Sequence, residues 1–283
     1  MLEKGIQNKI TLIDETEWYI DEILERMKDD DFYFNYLDTN RVLSKSSINK
    51  LVPPKSPKVY YYGTGKKESD ASLRAGSLFH YAILEPEKYD RVQFSKLKTR
   101  NSAGFKAEQE NTKETLYSRS EKEFNEKLVS EFTVNKKAMS YLSGAEFEIP
   151  LIGTIDEIPF RGKADIVTPD GRILDLKTCG NLEDFPKNAY DYGYDIQCYI
   201  YSKLMGANPK QFEFIVISKN TLDIGFFPVD ISFVEQGRSK LERAIEVYKN
   251  IFWKKDEQQI RETLNELSFH NVLYSRIKYN NKR

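Results

Sequence analysis

The stretch from Glu146 to Thr178 constrains this chain most. Glu146 to Ile152 (EFEIPLI), Ile158 to Thr168 (IPFRGKADIVT) and Arg172 to Thr178 (RILDLKT) each alternate apolar and polar residues. A period of two sends successive side chains to opposite faces of a sheet. Gly153 punctuates the first boundary and Pro169-Asp170-Gly171 the second, as reverse turns require. Three such strands joined by short turns make an antiparallel meander. A helix over about Tyr194 to Met205 follows, then strands at Phe212 to Ser218 and Ile224 to Val229. A long amphipathic helix from about Ser232 to Lys255 comes last, carrying Phe233, Leu241, Ile245, Tyr248, Ile251 and Phe252. Upstream, Asp70 to Leu84 reads as an amphipathic helix with Leu73, Leu78, Phe79, Ala82 and Ile83 available for packing, closed by Pro86. The order helix, three-stranded meander, helix, strand is a mixed α/β plan.

The remaining segments read as helical flanks. A first helix is expected from Asp14 to Lys28, with Ile20, Ile23, Leu24 and Met27 at helical spacing under an acidic surface, ending in Asp29-Asp30-Asp31. A short second helix starts in SKSSINKLV with Ser44 or Ser46 as N-cap, before Pro53, Pro54 and Pro57 break the chain. Residues 95–145 are polar and helical by propensity, an insertion covering a more compact core. The expected organisation is an acidic helical extension over 1–42, a main domain over 43–257, and a C-terminal helix with a basic tail over 258–283.

Charge and thiol counts narrow the chemistry. The 283 residues hold 43 Lys+Arg against 44 Asp+Glu, a formal net charge of -1, so an anionic partner must be met by a local patch. Two Cys and two His cannot build a four-cysteine zinc ribbon, an iron–sulfur cluster or a disulfide framework, and the spacings of Cys179, Cys198, His80 and His270 match no zinc module. A metal here should be held mostly by oxygen. No segment approaches the roughly 18 apolar residues of a membrane span, and no signal-peptide pattern opens the chain. The expectation is a cytoplasmic protein with no membrane partner.

Within the meander, Asp175 and Lys177 emerge from one face of their strand while Leu174 and Leu176 point into packing. Asp165 lies on the preceding strand in GKADIV, and the short turn can bring the two carboxylates close enough to share a divalent cation. Lys177 adds a positive charge suited to orienting an attacking water or stabilising phosphoryl charge. The plainer alternative is a cross-strand ion network on a solvated face. Three features weigh against it: Gly162 precedes Asp165 in G-x-x-D, Gln197 and Tyr201 share a helix face at i, i+4, and His80 follows GSLF on an upstream helix.

Together GSLFHYAILEP, FRGKADIV, ILDLKT and QCYIY resemble the PD-(D/E)xK nuclease superfamily, and within it the RecB-like and RecE-type branch that includes phage recombination exonucleases. The resemblance spans roughly Leu43 to Val229. It implies a restriction-endonuclease-like core, with Asp165 and Asp175 as metal ligands and the backbone carbonyl of Leu176 as a further one. It also implies Lys177 as the catalytic lysine, His80 near the metal, and Gln197 with Tyr201 supporting the active site or the DNA backbone. A glutamate is expected just before the G-x-x-D strand. Glu146 and Glu148 both qualify and share a strand face, and Glu148 is preferred. Asp175-Leu176-Lys177 stands where many members have Glu-x-Lys, and the iron–sulfur cysteines of some relatives are absent.

The resemblance further implies a Mg2+- or Mn2+-dependent deoxyribonuclease, an exonuclease that digests one strand of duplex DNA from an end, 5'-to-3', for recombination. Rivals are a structure-specific or restriction-like endonuclease, and an inactive DNA-binding or docking module on the same fold. Relatives in this branch form rings, so homo-oligomerisation is implied, and the acidic first helix could bind a partner such as a single-strand annealing protein. His80 could instead be a core imidazole, and His270 reads as structural. Ser95 to Lys106 carries Lys96, Lys98, Arg100 and Lys106 with no acid, plus Phe105. It reads either as a flexible basic loop with a stacking aromatic that meets DNA, or as a solvated loop. The tail RIKYNNKR is similarly basic.

Overall fold

A computed structural model of the chain describes residues 8–53, 55–63 and 70–267. The hairpin β1 (Lys9–Thr11) and β2 (Glu17–Tyr19) leads into helix α1 (Ile20–Arg26) and a π-helical turn at Phe32–Tyr36. The short strand β3 (Leu43–Ser44) precedes α2 (Lys45–Ile48), α3 (Pro57–Tyr62), α4 (Asp70–Leu84) and α5 (Pro86–Tyr89). Next come α6 (Ala103–Glu110), α7 (Arg119–Val134) and α8 (Lys136–Leu142), then the meander β4 (Glu146–Ile155), β5 (Ile158–Val167) and β6 (Ile173–Cys179). Helices α9 (Phe185–Asp191) and α10 (Tyr194–Met205) cross to β7 (Phe212–Ser218), which turns into β8 (Ile224–Pro228). Helices α11 (Ile231–Ile251) and α12 (Glu257–Glu266) follow. This is the expected mixed α/β plan. Among the described residues no helix is long and apolar enough to cross a membrane.

The main sheet runs β4–β5–β6–β7–β8. Pairing is antiparallel except at β3–β5 and β6–β7, which are parallel, and the β6–β7 pair therefore needs the α9–α10 crossover. Every residue of β7 is buried, as a central strand covered on both faces must be. Alternation along it divides the core. Phe212, Phe214 and Val216 pack with Ile173 and Cys198 in one cluster, while Ile215 and Ile217 pack with Leu174, Leu176, Phe79 and Phe132 in another. Ile196 and Ile200 of α10 meet Leu241, Ala244 and Ile245 of α11 in a third cluster. These two helices touch at Gly237, where a Cβ would lie 2.0 Å from the backbone oxygen of Asp195. Beside that contact the fully buried Asp195 carboxylate pairs with Lys240 at 2.6 Å.

Three expectations change. The helix expected from Asp14 to Lys28 is a hairpin followed by a seven-residue helix. Asp14 Oδ1 accepts from Thr16 N and Oγ1, and Leu12 N–H donates to Thr16 O at 2.8 Å, so local turn bonds override helical spacing. The segment packs Ile10, Leu12, Ile23, Met27 and Phe32 against Ile152 of β4. Second, β4 runs on through Gly153 to a two-residue turn at Asp156-Glu157, both at positive φ (50° and 67°). Paired positive φ values match the twist of a tight hairpin. Third, the segment Ser95 to Lys106 offers no stacking aromatic. Ser102 caps α6, which buries Phe105 to 2 % exposure. Arg100 lies over that ring, donates to Leu116 O and pairs with Glu121 at 3.6 Å, so it belongs to local packing. Lys96, Lys98 and Lys106 are exposed. His270 and the basic tail lie outside the described residues.

Candidate active site

The Asp156-Glu157 turn pairs Ile155 with Ile158 and fixes one register along the whole β4–β5 ladder, with Phe147 opposite Ile166 and Ile149 opposite Ala164. Glu148 therefore faces Asp165. Glu146, opposite Val167, is exposed. Strands β5 and β6 pair at Val167–Ile173 and Ile166–Leu174, and the next position in that register sets Asp165 opposite Asp175. Three carboxylates thus stand in one row across three neighbouring strands.

The row stands where the sheet opens. The β5 edge opposite β4 is shared, with β3 on Phe160 and Arg161 and β6 on Ile166 and Val167. Over the residues between, the described strands form no ladder pair on that edge. Leu176 N–H donates instead to Asp165 Oδ2 at 2.9 Å. Leu176 thus meets the site through its N–H. At the other end of the row, Glu148 takes φ +53°, a conformation that costs a non-glycine residue about 1–3 kcal/mol.

Helix α10 supplies the support. Gln197 Nε2 donates to Oδ1 of the fully buried Asp175 at 2.5 Å, and Lys177 Nζ pairs with Oδ2. One turn on, Tyr201 lies against Gly162, where a Cβ would come within 2.5 Å of the ring. The glycine of G-x-x-D is therefore demanded by the tyrosine of Q-x-x-x-Y.

Helix α4 is anchored by Phe79, and its next residue, His80, reaches the acids. His80 Nε2 is 3.3 Å from Asp165 Oδ2 and 3.4 Å from Glu148 Oε1, and Nδ1 is 3.8 Å from Glu85 Oε2. Lys88 joins Glu85 (2.6 Å) to Asp30 (2.5 Å), and Lys163 joins Asp30 (3.2 Å) to Glu148 (3.8 Å). The charges alternate around a closed ring: His80, Glu85, Lys88, Asp30, Lys163, Glu148. The structure so brings together Glu148, Asp165, Asp175, Lys177, His80, Gln197 and Tyr201. Arg100 instead lies over Phe105, pairs with Glu121 and donates to Leu116 O, and Lys96, Lys98 and Lys106 lie on the exposed surface.

Burial and mutual repulsion set the protonation pattern. Burial, with the Asp165 charge, lifts Asp175 to about 6 despite Lys177. Burial lifts Glu148 to about 7, with Asp165 and Glu85 adding to the rise against His80 and Lys163. Burial disfavours the His80 imidazolium, but Asp165, Glu85 and Glu148 outweigh it and raise the group to about 10. Burial likewise opposes the Lys177 ammonium, and Asp175 and Asp165 overcome it, holding its pKa above the usual lysine value. Burial also opposes the Asp165 charge, yet His80, Lys177 and the Leu176 N–H keep its pKa below the usual carboxylate value.

Such a set of oxygens fits a hard divalent cation. Glu148 Oε1 is buried without a hydrogen bond, which leaves acceptor capacity beside the row, while Asp175 Oδ2 is held by Lys177. His80, Glu85 and Glu148 offer ligand atoms within 4.8 Å of one another. Glu85 escapes a reading by motif, although it sits in the Glu-Pro that ends the His80 helix. Asp30, Lys88 and Lys163 carry no local signal.

Residues 55–264 match the family described as PDDEXK-like domain of unknown function (DUF3799). The chain belongs to this PDDEXK-like family. Its fold is similar to that of a protein from Eubacterium rectale designated a candidate exonuclease, with TM-score 0.57 and 17% identity over 87% of this chain and 96% of that one. A phage-related exonuclease from Haemophilus somnus 129PT aligns with TM-score 0.32 and 15% identity over 74% of this chain and 94% of that one. At 17% identity the first likeness speaks to a shared fold. No curated protein sequence matches. PDDEXK-like membership supports a nuclease, a class that generally uses divalent metal.

Proposed function

We propose that this PDDEXK-like protein is a Mg2+- or Mn2+-dependent exodeoxyribonuclease that digests one strand of duplex DNA from an end, 5'-to-3', in phage-type recombination. The observation that carries the nuclease reading is the row Glu148–Asp165–Asp175 with Lys177 beside it, at the opening of the sheet. The exonuclease reading rests on the motif resemblance, and the designation of the Eubacterium rectale protein agrees with it. By the same resemblance, several copies of the chain encircle DNA, and the acidic N-terminal segment is the proposed docking site of a single-strand annealing protein.

In this reading Glu148, Asp165 and Asp175 hold the cation, with His80 and the Leu176 carbonyl beside them. A bound divalent cation supplies Lewis acidity toward the phosphodiester and the attacking water. The protein's own groups do the rest. Gln197 and the Leu176 N–H fix the Asp175 and Asp165 carboxylates, so no reorganisation is needed when substrate arrives. Lys177 remains protonated at neutral pH and offers its charge to the phosphoryl oxygens as negative charge develops there. Tyr201 on Gly162 keeps α10 seated on β5.

Incubating purified protein with Mg2+ and either end-labelled linear duplex or covalently closed circular duplex tests the reading. Digestion of the linear form with the closed circle left intact is expected. Cleavage of the closed circle replaces the exonuclease reading with an endonuclease. Loss of neither form removes the nuclease reading.

A further inference from the structure

The acid row has a lysine at each end, and each lysine lies over a ring that meets a second, outer ring. At the Glu148 end, Lys163 Nζ is 4.8 Å from the centroid of Tyr33 and 5.8 Å from that of Phe34, and the two rings meet edge to face at 4.9 Å. At the Asp175 end, Lys177 Nζ is 5.1 Å from the centroid of Tyr194, and the Tyr192 ring lies 5.9 Å from Tyr194. Lys45 approaches the same Tyr194 ring at 4.8 Å. In both pairs the inner ring is covered and the outer ring is open: Tyr33 is 8 % exposed against 61 % for Phe34, and Tyr194 is half-buried against 43 % exposure for Tyr192.

Both outer rings sit on fixed backbone. Phe34 belongs to the π-helical turn, where Phe32 N–H donates to Asp29 Oδ1 at 2.8 Å and Leu37 N–H to Phe32 O at 2.9 Å. Tyr192 ends α9, its N–H donating to Asn188 O at 2.9 Å and its carbonyl accepting from Asn49 Nδ2 at 3.4 Å. A solvent-facing ring with a lysine on it, or on the ring beside it, suits an unstacked nucleobase, with the ammonium near the backbone phosphate. Bases inside a duplex hide their faces from such rings.

We propose that Phe34 and Tyr192 are base-stacking residues that hold an unpaired stretch of nucleic acid across the acid row. The inference rests on the nuclease reading and adds to it the form of the substrate: a frayed or single-stranded end, drawn past the carboxylates between two aromatic stops. Phe34 lies outside residues 55–264, the span matched by the family.

Fluorescence anisotropy in EDTA tests it, using a labelled duplex with a short thymidine overhang and the same duplex with an abasic overhang. The parent should bind the thymidine overhang about 5- to 100-fold more tightly, the range that stacking on aromatic side chains provides. Phe34→Ala and Tyr192→Ala should each weaken thymidine binding at least ~5-fold and lose most of the preference over the abasic overhang. Phe34→Tyr and Tyr192→Phe should keep it. Tyr62→Ala, at an exposed ring elsewhere, should match the parent. Equal binding of both overhangs by the parent, or full preference retained by either alanine variant, overturns the proposal. If the parent still digests end-labelled duplex in Mg2+, such a result removes the stacking alone. A parent that neither binds nor digests DNA removes the nuclease reading and this inference together.

Discussion

Replacing Gly237 by alanine should reverse the usual sign of that substitution. In an exposed helix interior, glycine to alanine stabilises by about 0.5–1 kcal/mol. At Gly237 the new methyl would lie 2.0 Å from the Asp195 carbonyl oxygen and 2.7 Å from Ile196 N, against ordinary contacts of 3.4 Å and above. Because those are backbone atoms, α10 and α11 must part by about 1 Å or more, an overpacking that costs about 1–3 kcal/mol. For a domain of this size each kcal/mol lowers Tm by about 2–4 °C, so a fall of about 2–12 °C is expected. The displacement also reaches the site. Gln197 stands two residues from the clash, and its 2.5 Å bond to Asp175 does not survive a shift of that size. Misplacement on that scale can reduce turnover about 100-fold. Thermal denaturation followed by circular dichroism measures the first effect, and digestion of end-labelled duplex in Mg2+ the second. Ser239→Ala, exposed on the same helix, is the control and should move stability by no more than about 0.5 kcal/mol. A Gly237→Ala protein as stable as the parent would refute the close approach, and one that is destabilised but digests DNA at the parental rate would refute its link to Gln197.

Other outcomes follow from the same geometry. Lys177→Ala should lower the digestion rate about 100- to 1000-fold, the effect of removing one group aimed at developing charge. An unchanged rate removes Lys177 from the chemistry. Gly162→Ala should destabilise through the Tyr201 ring, and Tyr201→Leu in the same protein should recover part of the loss. Additive effects of the two changes in a double-mutant cycle would contradict that contact. Cation binding should strengthen as pH rises from about 5.5 to 7.5, because Glu148 (about 7) and Asp175 (about 6) must lose protons to become ligands. Calorimetric titration with Mn2+ in buffers of different ionisation enthalpy should show proton release near pH 6.5. A pH-independent affinity would place the cation elsewhere.

Helices whose apolar spacing and end signals agree were legible in the sequence, and Asp70–Leu84 and Tyr194–Met205 form at the expected bounds. The shared face of Asp175 and Lys177 was legible for the same local reason, strand periodicity. What required the structure is register. Alternation puts Glu146 and Glu148 on one face, and the hairpin at Asp156-Glu157 is what sets Glu148 opposite Asp165. That turn uses two acidic residues at positive φ, where glycine or asparagine would have announced it. Phe105 shows the opposite failure: a basic neighbourhood suggested an exposed ring, while the Ser102 cap and the Arg100–Glu121 pair show a helix packed inward. Asp30, Lys88 and Lys163 are too far apart in sequence for any local pattern to join them.

The ring of alternating charges around His80 has a consequence for how the protein is made. Asp30 waits 133 positions for Lys163, and His80 waits for Glu148 and Asp165. At a synthesis rate of about 5–20 residues per second, many seconds separate emergence of the first partner from that of the last. Until β4 and β5 leave the ribosome, Asp30 lacks Lys163 and His80 has only Glu85 beside it. The ring of charges thus closes late in translation, when the meander meets residues made long before.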